Sequence, residues 1–194
     1  MTMLVGMLAA AISIVIAAIL FVRYLYKTAE SRKIKRIIKK YSDAFARDVI
    51  FPDGIGGYFF IDYLILLPCR ILALNLSKVN GYVFGGEGIE LWTQVEDNKS
   101  TKFKNPLEDV QLFVKYVADQ LKFDGMMARV LFDSRSEFPK GVPEGVLQLA
   151  NFKESMAAWA EEARVAEATN KAWDKLSALL AESRERYNKE TGVS

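Results

Sequence analysis

The stretch Tyr58-Phe59-Phe60-Ile61-Asp62-Tyr63-Leu64-Ile65-Leu66 (YFFIDYLIL) decides how the rest of the chain is read. It carries one charge, follows a turn marked by Gly54, Gly56 and Gly57, and is broken by Pro68, as for a strand buried on both faces. Ile71–Leu76 supplies a second strand beyond the proline. Val79–Phe84 and Ile89–Gln94 flank Gly85-Gly86-Glu87-Gly88, the composition of a hairpin loop. Asn105-Pro106 reads as a helix cap followed by proline at the first helical position, opening a helix through Leu107–Lys122. Ala128–Phe132 and Val146–Leu149 read as further strands. Strands, helix, then strands again predict an α/β body with a mixed sheet flanked by helices.

Past Phe152 the pattern is helical to about Lys189. Met156, Trp159, Ala163, Ala166, Asn170, Trp173, Ser177 and Leu180 alternate three and four apart. Two polar residues and two alanines make a poor coiled-coil seam. Packing of Trp159 and Trp173 on the chain's own domain is the plainer reading, and self-association or a protein partner through this long C-terminal helix is the alternative.

Composition narrows the chemistry. The 194 residues include no histidine and one cysteine, Cys69. Histidine-based nucleophilic or acid–base catalysis is excluded, as are His-ligated metals, an intrachain disulfide and Cys-rich clusters. No G-x-x-x-x-G-K-[ST] phosphate loop occurs. Any catalysis would run on carboxylates, Lys, Tyr or hydroxyls, with a hard oxygen-liganded cation such as Mg²⁺ as the fitting cofactor.

The net charge of +2 is unevenly spread. Residues 4–22 (LVGMLAAAISIVIAAILFV) hold Ser13 as their one polar side chain, enough apolar helix to cross a bilayer core of roughly 30 Å. Arg23, Lys27, Arg32, Lys33, Lys35, Arg36, Lys39 and Lys40 then follow, with Glu30 the one acid among them. Basic residues after the span rather than before it argue against a secretory signal and for a retained transmembrane anchor. The positive-inside rule places the N-terminus outside the inner membrane and the body in the cytoplasm. Within the collar, Ile34, Ile37, Ile38, Tyr41 and Phe45 recur at helical spacing, while Arg32, Lys33, Lys35, Arg36, Lys39 and Lys40 mostly take the other face. Two partners suit that basic strip, anionic lipid beside the anchor and nucleic acid. The expected organisation is an anchor at 1–26, an α/β domain at 27–150 and a C-terminal helix and tail at 151–194.

Asp62 stands out against its strand. An ionised carboxylate between buried faces needs a metal, a cation or hydrogen-bond donors to compensate it. A structural ion pair would explain it as well as a functional role. Glu30 lies four residues before Ile34, on the apolar face rather than among the lysines.

From Glu30 to about Leu149 the chain resembles the nuclease-related domain (NERD) family, whose fold is that of the PD-(D/E)XK nucleases. The residues that carry the resemblance are Glu30, Ile61-Asp62, Gly81-Tyr82-Val83-Phe84-Gly85, Leu91-Trp92-Thr93-Gln94, Phe103-Lys104-Asn105-Pro106-Leu107 and Ala128-Arg129-Val130-Leu131-Phe132, in order and suitably spaced. The resemblance implies a site built from a helical Glu, a strand Asp and Glu-x-Lys on the next strand, with Mg²⁺ held by the carboxylates. Glu30 and Asp62 match; the Glu-x-Lys positions fall on Asn75 and Ser77. Tyr63 and Asp109 also stand where the family usually has His and Gln.

Asn75 and Ser77 share a strand face, so both should turn towards the position a metal would take, whereas Lys78 falls one residue out of phase. Asp62 with a neutral Asn75 carbonyl would bind Mg²⁺ weakly at best, and a missing lysine removes a fixed cation from the developing charge. The expectation is a membrane-anchored, catalytically degenerate nuclease-related protein that keeps a nucleic-acid or protein binding role. The alternatives are a live Mg²⁺-dependent nuclease that recruits Lys78, Glu87 or Glu90, and a tethered scaffold that uses its C-terminal helix.

Overall fold

The computed structural model describes residues 29–162 and 166–192. The chain divides into two compact units, residues 1–37 and 38–194, each described by itself. The transmembrane expectation for 4–22 lies outside the described residues; among those described, no helix is long and apolar enough to cross a membrane.

Residues 29–37 of the first unit are helical and begin α1, which runs over 29–41. Its sides divide as the spacing predicts. Ile34, Ile37 and Ile38 are buried, and Arg32, Lys33, Lys35, Arg36, Lys39 and Lys40 are exposed. Ser42 ends the helix, its N–H and hydroxyl both donating to the Ile38 carbonyl at 3.0 and 2.7 Å. Phe45, expected on the helical stripe, belongs instead to the strand that follows.

The second unit is built on two sheets. The larger has five strands: β1 (Ala44–Pro52), β2 (Tyr58–Leu67), β3 (Arg70–Ser77), β7 (Met126–Phe132) and β9 (Val146–Gln148), in the order β1-β2-β3-β7-β9. The first three form an antiparallel meander, and β7 and β9 then run parallel to β3, so the sheet is mixed. The smaller sheet comprises β4 (Gly81–Phe84), β5 (Leu91–Glu96), β6 (Lys99–Lys104) and β8 (Ser136–Glu137), in the order β6-β5-β4-β8. β1, β6 and the two-residue β8 went unpredicted. β6 is a strand by virtue of its pairing with β5, since five of its six side chains are exposed and show no apolar alternation.

Helix α2 (Pro106–Leu121) carries the crossover back to β7. Asn105 Oδ1 accepts from the Leu107 N–H at 2.9 Å and Pro106 occupies the first turn, as predicted. Val110, Phe113 and Val117 are fully buried, and the Phe113 ring meets Phe51 and Phe59 edge-on.

The C-terminal segment is two helices rather than the one expected: α3 (Phe152–Ala160) and α4 (Ala166–Thr191). The expected seam is also rotated. Asn170 and Ser177 are exposed, and the buried line on α4 runs through Thr169, Ala172, Leu176 and Ser183, so its apolar side is turned to the unit's own core. Phe152 and Met156 bury α3. An Arg70–Glu162 ion pair, with the Cys69 thiol donating to Glu162 at 2.7 Å, ties the segment just past α3 to the β2–β3 turn.

Candidate functional site

The backbone ladder between β2 and β3 runs from Leu67 opposite Arg70 to Tyr63 opposite Leu74, and there it stops. Asp62 and Asn75 are the next pair, at the point where the strands part. β3 continues on β7, with Asn75, Leu76 and Ser77 in register with Val130, Leu131 and Phe132.

Side chains replace the missing ladder. Asn75 Oδ1 accepts from the Asp62 N–H at 3.0 Å, and Asn75 Nδ2 donates to the Phe60 carbonyl at 3.3 Å. Asp62 Oδ2 accepts from the Leu76 N–H at 2.6 Å. These bonds satisfy backbone groups that the parting strands would otherwise leave unpaired. They also assign Asn75's amide orientation, because a swapped amide would present donor to donor and acceptor to acceptor.

Electrostatics at Asp62 follow from that position. Burial pushes its carboxyl above the ordinary aspartate range, the Leu76 N–H and the charge of Lys78 pull it down, and Asp48 pushes it up again. Strand alternation had turned Lys78 away from this face. It lies beyond the end of β3, however, where alternation no longer governs it, and its ammonium acts on Asp62.

Asp48 is the residue that sequence reasoning missed. The pairs Arg47–Tyr63 and Val49–Ile61 bracket it, so it stands opposite Asp62 across the β1–β2 ladder. Its φ of 50° is left-handed, an unusual backbone for a strand interior that Asp tolerates better than most residues. Beside it, Arg47 draws the Tyr63 phenol down, but burial is the larger influence and holds it above its usual range. The available signal was the apolar recurrence of Phe45, Val49 and Phe51, interrupted by Arg47 and obscured by its overlap with the helical stripe of α1.

The other predicted positions fall as follows. Ser77 is half-buried at the last position of β3, and Glu30 is half-buried on α1 in the first unit. Glu87 and Glu90 lie exposed in the loop between β4 and β5. Among the described residues no group of three or more Asp, Glu, Cys or His side chains could hold a metal ion. The donors at Asp62 do not fit a resident Mg²⁺: one carboxylate oxygen is bound to an N–H, and the neighbouring amide is occupied on both its atoms.

A groove of about 680 Å³ opens between the Asp53–Gly57 turn and α2, lined in part by Tyr58, Phe60, Leu112 and Tyr116. Its carboxylates are engaged: Asp109 with Lys104, Asp119 with Lys122, and Asp53 with the N–H groups of Ile55 and Gly57. Of the positions the family resemblance singled out it contains Asp109, but none of Glu30, Asp62, Asn75 and Ser77.

No curated relative and no solved structure matches the chain. The family model described as "Nuclease-related domain" (NERD) matches residues 27–135, a span that takes in α1, the β2–β3 junction and α2. Because that match covers more than half of the 194 residues, the chain belongs to the NERD family.

Proposed function

We propose that this NERD protein is anchored to the inner membrane, has a degenerate nuclease site and binds nucleic acid without cleaving it. The observation that carries the reading is the Asn75 amide. At the position where the family resemblance implies a metal-binding glutamate, it closes the gap between β2 and β3 with two backbone hydrogen bonds. Ser77, at the implied lysine position, offers no cation. A site whose acidic member has become a strand clip has a reason to keep its shape after losing its chemistry. The uncharged run at 4–22 and the exposed basic side of α1 support the anchor, with the body on the cytoplasmic side and the collar on anionic lipid. Because α4 turns its apolar side to its own core, self-association through that helix is the weaker alternative.

The influence of Lys78 on Asp62, with Asp48 opposite, is the one observation that favours a rearranged, active nuclease. The test is incubation of the full-length protein in detergent with single- and double-stranded DNA and RNA in Mg²⁺ or Mn²⁺. No cleavage is expected, and the control is the double substitution Asn75→Glu with Ser77→Lys. Cleavage by the unaltered protein, abolished by Asp62→Ala, would establish the active reading and sink this one.

A further inference from the structure

The smaller sheet has one buried side and one open side. Val83, Trp92 and Ser136 are buried, and Trp92 stacks on Phe132 with ring planes 11° apart. Alternation puts Tyr82 and Phe84 of β4, Leu91, Thr93 and Val95 of β5, and Ser100, Lys102 and Lys104 of β6 on the open side. The register arranges them in rows. Phe84, Thr93 and Lys102 lie across three strands in one row, and Tyr82, Val95 and Ser100 in the next. Tyr82 is 49% exposed; Phe84 is half-buried, and Lys140 holds its ammonium over that ring, 5.8 Å from the centroid.

We propose that this open sheet face is a binding platform for single-stranded nucleic acid, with Tyr82 and Phe84 stacking successive bases and Lys102 and Lys140 meeting the phosphates. The proposal rests on the nucleic-acid reading above and gives it a location. Two residues apart on one strand, the rings stand roughly 7 Å from each other on the same face. Aromatics on a sheet that stack two or three bases are a general solution to single-strand recognition. Thr93 and Ser100 add hydroxyls of the kind that meet phosphate and sugar.

Composition favours this occupant over a protein. Protein interface cores are enriched in aromatics but depleted in lysine and serine, whereas this face interleaves them. Lysines on an edge strand also deter edge-to-edge pairing, which accounts for Lys102 on β6 but not for aromatic rings on the interior strand β4. Lys104 is paired with Glu108 and Asp109 and is not counted, and Glu137 opposite Tyr82 marks the acidic limit of the surface. Below the platform, Gly85 lets the backbone lie against Trp92, since a Cβ there would fall 2.0 Å from the indole. The rings are thereby mounted on a packed layer.

The experiment is fluorescence anisotropy of full-length protein in detergent with labelled single-stranded DNA and RNA of about 12 nucleotides, within the usual range of site sizes. Tyr82→Ala and Phe84→Ala should each raise Kd about tenfold, and Tyr82→Phe should leave it unchanged. Lys102→Gln with Lys140→Gln should reduce the slope of log K against log salt by about 1.4. Circular dichroism on each variant reports whether the fold is intact. Binding that is insensitive to the ring and lysine substitutions but lost when the α1 lysines become Gln would overturn the platform and leave the nucleic-acid reading standing. Preference for duplex overturns the platform alone; failure of the unaltered protein to bind any strand overturns both.

Discussion

Asn75 and Asp62 hold β2 and β3 together at the place where their backbones have stopped pairing: Asn75 Oδ1 accepts the Asp62 N–H at 3.0 Å, and Asp62 Oδ2 accepts the next residue's N–H, that of Leu76, at 2.6 Å. Replacing Asn75 with Ala strands the Asp62 N–H and the Phe60 carbonyl. The expected cost is about 1–3 kcal/mol, read as a lower urea midpoint with an unchanged slope. An unaltered midpoint would mean that water satisfies those groups equally well. The glutamate in the rebuilding control has no N–H for the Phe60 carbonyl and sets its acceptor one methylene further out, so that variant must be shown to fold before its activity is interpreted.

Asp62 should cost stability at neutral pH. Its folded carboxyl titrates above the unfolded one. The native state therefore binds more protons between the two values, and stability falls as pH rises from the ordinary aspartate value through the raised one. Asp62→Asn keeps an oxygen for the Leu76 N–H and sheds the charge. Urea melts should show the variant more stable than the parent at pH 7, with the advantage gone below about pH 4. A variant less stable at pH 7 would indicate that a cation offsets the charge in the parent.

Neighbouring glycines should behave oppositely. A methyl at Gly85 would fall 2.0 Å from the fully buried Trp92, whereas the nearest atom to one at Gly86 is Ile89 Cδ1 at 3.6 Å. Gly85→Ala should cost 1–3 kcal/mol or about that by overpacking, and Gly86→Ala should stay within about 0.5 kcal/mol of the parent. Equal thermal midpoints would mean that Trp92 has room to retreat.

The collar prediction separates charge from packing. Lys33, Lys35, Arg36, Lys39 and Lys40 are exposed on α1, so changing all five to Gln leaves buried Ile34, Ile37 and Ile38 in place. Flotation of protein beginning at residue 27 with anionic vesicles should weaken by about 1 kcal/mol per charge removed, with the loss masked at high salt. Unchanged flotation would reject the lipid role.

How much of this was legible in the sequence varies with the physics of each element. β2 was, because one charge among nine otherwise apolar residues between breakers has few other readings, and the same contrast singled out Asp62. The start of α2 was, because Asn105-Pro106 is a local capping signal. β6 was not: KSTKFK owes its conformation to a neighbour rather than to its own pattern. The break between α3 and α4 was hidden by helix-forming composition on both sides, and the rotation of α4 by alanines that suit either face. At the site, the identities of Asn75 and Ser77 were plain from the chain. The use of Asn75 was not, since it depends on two strands parting, and side-chain periodicity assumes that they stay together.

The parallel pairing of β3 with β7 has a consequence for synthesis. β3 ends at Ser77 and its partner begins at Met126, with β4, β5, β6 and α2 made in between. The β1–β2–β3 meander can close as soon as it leaves the ribosome, but the side of β3 that later faces β7, through Ile71–Leu74, stays uncovered until Phe132 has emerged. An apolar edge left waiting is a template for pairing with another nascent chain. Truncations after Leu121 should therefore fail as aggregates, and the speed at which the middle of the message is translated sets how long each new molecule is exposed to that hazard.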